Sequence, residues 1–181
     1  MVENLRSLPN AITMVRLFLV PVMVAMITGG RWVEAFAIFL VAGVSDALDG
    51  WLAKTFSLQT ELGAYLDPVA DKTLLVSIYV ALSLAGTIPP WLAILVVSRD
   101  IMIIGAILMS WLLGRPMRIA PLFISKVNTA AQIAFAALML ATKAFGWQPG
   151  LAYDVAVLIV AALTLASAGA YLGPWIKHMG L

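Results

Sequence analysis

The chain has nine acidic residues, and four of them crowd into one short stretch: Asp46, Asp49, Asp67 and Asp71. Asp46 and Asp49 are three apart and Asp67 and Asp71 four apart, so on helices each pair shares a face. Four carboxylates held together in a poorly hydrated place repel one another, so either some protonate or cations bind. Clustered carboxylate oxygens suit the hard ions Mg²⁺ and Mn²⁺. Four of them on two helices can hold two ions about 4 Å apart, the arrangement that clamps a phosphoryl centre. The plainer alternative is a set of helix-end acids, each facing water separately.

The elements that must position these acids are apolar. Of 181 residues, 63% are hydrophobic and 11% charged, against roughly half and a quarter in soluble domains. That much apolar surface needs the bilayer as solvent. A span needs roughly 20 apolar residues, and the spacing predicts an all-α polytopic membrane protein with six transmembrane helices, near 11–28, 32–52, 63–86, 90–113, 124–145 and 151–172. The whole chain, 1–181, reads as one domain. Turn signals fall between the spans at Gly29-Gly30, Thr87 before Pro89-Pro90, Gly114 before Pro116, Gly146 to Gly150, and Gly173-Pro174. The segment Ser7-Leu8-Pro9-Asn10 is expected to lie on the membrane surface before the first span. Barrel strands are excluded, because the apolar runs do not alternate.

Lys and Arg set the expected orientation. Arg6, Lys54, Arg115, Arg118 and Lys177 gather at one set of helix ends, Arg31 and Lys143 at the other. Both termini and the second and fourth loops are therefore expected in the cytoplasm, with the acids near that side. The net charge of +2 reads as topology, not as nucleic-acid binding. Without cysteine, thiolate metal sites and disulfides are excluded.

Around the acids, Gly50 leaves room for a ligand against the backbone, and Gly63 permits close helix approach. Lys54 and Thr60, in the break between the helices, are placed for a diphosphate. Arg99, in Ser98-Arg99-Asp100, sits far along an apolar helix and needs an anionic partner. That partner is either an acid on a neighbouring helix or the phosphate of a substrate. Arg118 and Lys126 add cations at the cytoplasmic side. Lys126 stands at a helix start, where the dipole prefers anions, which favours phosphate binding. Asn128 and Gln132, four apart, either bond across helices or line a cavity. Trp32, Trp91, Trp147 and Trp175 lie near span ends as expected interfacial anchors.

From Asp46 to Asp71 the chain reads D-A-L-D-G-W-L-A-K-T-F-S-L-Q-T-E-L-G-A-Y-L-D-P-V-A-D. This resembles the signature of the CDP-alcohol phosphatidyltransferase family, D-x2-D-G-x2-A-R-x8-G-x3-D-x3-D. Every spacing matches, and Lys54 stands where the family usually has Arg. Lys keeps the charge but not the bidentate fork. The resemblance implies a homodimer with a polar cavity open to the cytoplasm and two divalent cations, Mg²⁺ or Mn²⁺. It implies Asp46, Asp49 and Asp67 on one metal, Asp67 and Asp71 on the other, and Asp71 as general base. Asp46, Gly50, Lys54 and Thr60 would contact the CDP group of CDP-diacylglycerol. Asn10 and Thr13, in a Pro-Asn-x-x-Thr-x-x-Arg stretch, resemble the family's N-terminal share of the nucleotide pocket. The implied reaction is attack of an acceptor hydroxyl on the β-phosphorus, with CMP leaving.

Shorter strings narrow the acceptor. Leu8-Pro9-Asn10, Ser98-Arg99-Asp100, Phe123-Ile124-Ser125-Lys126-Val127-Asn128-Thr129-Ala130 and Thr164-Leu165-Ala166-Ser167-Ala168 resemble the eukaryotic-type cardiolipin synthases of this family. They imply phosphatidylglycerol as acceptor, held by Arg99, Arg118 and Lys126, among membrane lipids. The alternative acceptor is glycerol 3-phosphate. A non-enzymatic divalent cation carrier is the reading from a different class; the four acids gather on one side, whereas an ion path should continue across the midplane, which argues against it. No cleavable signal and no import-like leader open the sequence, so a bacterial inner membrane is expected rather than a mitochondrial one.

Overall fold

The computed structural model describes the backbone of residues 2–55, 61–114 and 122–179, and the side chains of residues 12–46, 70–114 and 122–178. Among the described residues the chain is all helical. The elements are α1 (Val2–Thr28), α2 (Trp32–Thr55), α3 (Glu61–Leu84), α4 (Pro90–Leu112), α5 (Phe123–Phe145) and α6 (Leu151–Met179). Of these, α4, α5 and α6 are long and apolar enough to cross a membrane, and Ile12–Thr28 forms a shorter apolar helix. The six expected spans coincide with these six helices to within a few residues, except at the two ends of the chain.

Glycine punctuates the helices for a conformational reason. Gly30 and Gly86 adopt φ of 72° and 67°, a left-handed backbone that costs glycine nothing. After each, the chain folds back on the helix it leaves. Arg31 N–H donates to the Met26 carbonyl and Gly30 N–H to that of Ile27; Thr87 and Gly86 do the same to Leu82 and Ser83. These bonds satisfy carbonyls that a helix end leaves without partners. α4 starts with Pro89 as N-cap and Pro90 in the first turn, where a missing N–H costs nothing.

Residues 7–10 belong to α1, which runs unbroken from Val2. One expectation at the other chain end is corrected: Gly173-Pro174 does not end the last helix, since α6 continues through Pro174 to Met179. Proline removes one backbone bond from a helix, and here Trp175 ties the following turn down. Its indole N–H lies 3.0 Å from the Ala106 carbonyl and 2.9 Å from Ser110 Oγ on α4. Trp175 is therefore a helix-to-helix bond as well as an aromatic at a span end.

The chain divides into two compact units. One comprises residues 1–87 and 139–147, the other 88–138 and 148–181. In the first unit, α1 packs against both α2 and α3. Its buried stripe is Thr13, Arg16, Val20, Met23 and Ile27, alternating three and four residues apart as a helix face requires. Ala35, Phe39 and Ala42 give the matching stripe on α2, and Leu75, Ile78 and Leu82 that on α3. Where α2 begins, Lys143 sits 5.7 Å over the Trp32 ring, and Phe145 lies edge-on to Phe36 and against Trp147. In the second unit, α4 packs against α6, burying Leu92, Val96 and Ile103 on one side and Val157, Val160 and Ala161 on the other.

Candidate active site

Helix length places the acids in register. Arg16 stands 12 residues before the end of α1, Asp46 stands 14 after the start of α2, and Asp71 stands 13 before the end of α3. At 1.5 Å per residue, each is roughly 20 Å from the same end of the unit. The tight turn at Gly29-Gly30 and the return through α3 thus bring all three to one level.

The arrangement at that level is specific. Arg16 Nη1 lies 2.6 Å from Asp46 Oδ1 and 2.6 Å from Asp71 Oδ1. The Arg16 side chain is 1% exposed, while those of Asp46 and Asp71 are 48% and 51% exposed. A buried cation therefore sits beneath two carboxylates that open outward. A guanidinium buried this deeply among apolar helices needs anionic partners, and one nitrogen here serves an acid from each of two helices. Thr13, one turn before Arg16 on the same face of α1, is also buried.

Of the expected site residues, the structure thus brings Asp46 and Asp71 together. The side chains of Asn10, Asp49, Gly50, Lys54, Thr60, Asp67 and Arg118 lie outside the described residues. Among the described residues, no three His, Asp or Glu side chains form a metal-ligating group. The donor set that is described fits a hard divalent ion. Two carboxylate oxygens that both reach one nitrogen are no farther apart than those two contacts laid end to end, a separation one ion or an ion pair can bridge.

Arg16 is the residue that sequence reasoning missed as part of the site. Its signal was present: a lone cation in the apolar run Met14-Val15-Arg16-Leu17-Phe18, which in a membrane helix marks a functional position.

The second unit holds the expected acceptor-side residues. Arg99, 5% exposed, finds its anion in Asp100, the next residue of its own helix: Nη1 donates to Oδ1 at 2.5 Å. Nη2 donates to Ser125 Oγ of α5 at 2.5 Å and to Ser167 Oγ of α6 at 2.7 Å. The guanidinium also lies 6.0 Å over the Tyr171 ring, and its Nε has no hydrogen-bond partner among the described residues. The expected acid on a neighbouring helix is replaced by a chain neighbour plus two hydroxyls from neighbouring helices. One turn along α5 and α6, the Thr164 hydroxyl donates to Asn128 Oδ1 at 3.0 Å and accepts from Gln132 Nε2 at 3.3 Å. Asn128 and Gln132 therefore bond across helices. Lys126 is exposed.

These features define a helical membrane protein in which a buried guanidinium gathers acids from two helices. The chain belongs to the CDP-alcohol phosphatidyltransferase family, whose profile matches residues 6–168. It is 35% identical over 185 residues to a human (Homo sapiens) protein named cardiolipin synthase (CMP-forming), covering 93% of this chain and 62% of that one. A rice (Oryza sativa subsp. japonica) chloroplastic CDP-diacylglycerol–glycerol-3-phosphate 3-phosphatidyltransferase is 33% identical, over 93% of this chain and 57% of that protein. The enzyme of that activity from Bacillus subtilis is 29% identical, over 91% of this chain and 93% of its own length. The chain spans about three fifths of the length of the human and rat cardiolipin synthases it matches.

Proposed function

We propose that this chain transfers a phosphatidyl group from CDP-diacylglycerol to phosphatidylglycerol, forming cardiolipin and releasing CMP. The observation that carries the reading is the convergence of Asp46 and Asp71 on Arg16, because these acids open and close the family signature. All six helices span the membrane in this reading, the whole chain acts as one catalytic domain, and it works as a homodimer in a bacterial inner membrane with the acids facing the cytoplasm.

Asp46, Asp49, Asp67 and Asp71 would hold two Mg²⁺ or Mn²⁺ ions, which supply charge neutralisation of the diphosphate. Asn10, Thr13, Asp46, Gly50, Lys54 and Thr60 bind the CDP group. Asp71 accepts the proton of the acceptor hydroxyl as its oxygen attacks the β-phosphorus, and the bond to CMP breaks. No ATP is needed, since the diphosphate bond is already activated. Arg99, Arg118 and Lys126 orient the acceptor phosphate. For Arg99, the carriers of that role are its buried guanidinium and the two serines that fix it.

A second reading, with glycerol 3-phosphate as acceptor, is favoured by the Bacillus subtilis relative, whose length this chain nearly matches. Both acceptors are anionic, so the cations do not separate them. Purified protein in mixed micelles with Mn²⁺ or Mg²⁺ should release CMP from CDP-diacylglycerol when phosphatidylglycerol is added. Turnover with glycerol 3-phosphate and none with phosphatidylglycerol replaces the first reading by the second. Metal uptake into liposomes without any CMP release would replace both by a cation carrier.

A further inference from the structure

Arg16 does more than neutralise two acids. Its single nitrogen Nη1 occupies one oxygen of Asp46 and one of Asp71, at equal distance. These oxygens are the donors a hard divalent ion would draw on. The Arg16 side chain is buried, on the buried face of α1, whereas the two acids are about half exposed. An ion arriving from the exposed side therefore meets carboxylates already engaged by a permanent positive charge, because Arg does not deprotonate in proteins.

We infer that Arg16 is an internal cation that holds Asp46 and Asp71 in competition with divalent metal ions, so that it sets the metal affinity of the site and moves off the acids when the site is loaded. This rests on the reading of those acids as metal ligands. In this role Arg16 is a positioning residue. It keeps two acids from different helices in register, and like-charge repulsion between it and a bound dication limits how tightly the ion is held.

The test is Mn²⁺ binding by electron paramagnetic resonance, on full-length protein in detergent without lipid substrate. Arg16→Gln removes the charge and should tighten Mn²⁺ binding by about tenfold or more; Arg16→Lys, which keeps it, should stay within about threefold of wild type. A merely structural arginine predicts unchanged or weaker binding in Arg16→Gln, and that result overturns the inference. Should Arg16→Gln fail to fold, wild-type protein answers alone. Its Arg16 side-chain nitrogen resonances should shift with the same midpoint as Mg²⁺ binding, and saturation with Mg²⁺ that leaves them in place refutes displacement. If wild-type protein binds neither ion, the metal reading and this inference fall together; if it binds both and Arg16→Gln gains nothing, only this inference falls.

Discussion

Arg99 and Asp100 are adjacent in the chain and ion-paired in space, with Nη1 and Oδ1 2.5 Å apart and both side chains buried. Consecutive helix positions do not face each other, yet the pair closes here, while Ser125 and Ser167 accept from the other terminal nitrogen of the guanidinium. Asp100→Asn leaves that guanidinium buried without its anion. The expected loss is about 3–5 kcal/mol, read as a lower unfolding midpoint in detergent. Ser125→Ala, which removes one hydroxyl partner, should cost about 1–3 kcal/mol.

Removing Arg16 should cost less than a buried ion pair normally does. The acids it leaves behind are half exposed and can be rehydrated, so Arg16→Gln should lie below the roughly 3–5 kcal/mol of a fully buried break. Adding Mn²⁺ should raise the unfolding midpoint more in this variant than in wild type, because the ion then supplies the positive charge that Arg16 placed between the two acids. Thermal unfolding with and without Mn²⁺ measures both effects.

Asp71→Asn should abolish turnover while leaving CDP-diacylglycerol binding largely intact. Loss of a general base alone lowers the rate by about 10²–10⁴-fold, and loss of a metal ligand adds to it. CMP release against a parallel nucleotide-binding measurement separates chemistry from binding. Near-wild-type release would remove Asp71 as the base.

Lys54→Arg restores the residue usual at this place in the family signature. Activity should remain within about threefold of wild type, because the charge is kept and a bidentate fork is added. A large loss in the CMP-release assay would mean that Lys54 is fitted to its place by more than its charge.

Thr164→Val probes the buried bonds between α5 and α6. It leaves Asn128 and Gln132 without the hydroxyl they share. Interhelical hydrogen bonds in membranes are worth about 0.6–2 kcal/mol, so unfolding should shift by that amount. The KM for CDP-diacylglycerol should not change, since none of these three residues is among those proposed to bind the CDP group.

Much of the molecule was legible along the chain. Helix existence and bounds follow from runs of about 20 apolar residues broken by glycine and proline, and the observed helices fall where those runs do. The break read at Gly173-Pro174 failed because a local proline signal was outweighed by a tertiary bond, that of Trp175 to α4. Spacing also put Asp46 and Asp71 on helices that could meet, because periodicity is a property of the chain itself.

What periodicity does not carry is which third helix packs against a given pair. The acids looked like a matter between α2 and α3, whereas tertiary packing lays α1 against both and places Arg16 at their level. Likewise, the sequence showed that Arg99 needed an anion, but only the fold decided that this anion was Asp100, with serines from α5 and α6 completing the set. The physical reason is the same in both cases. A buried charge states its need for a partner in its own residue type, while the choice of partner depends on which helices come within a few ångströms of it.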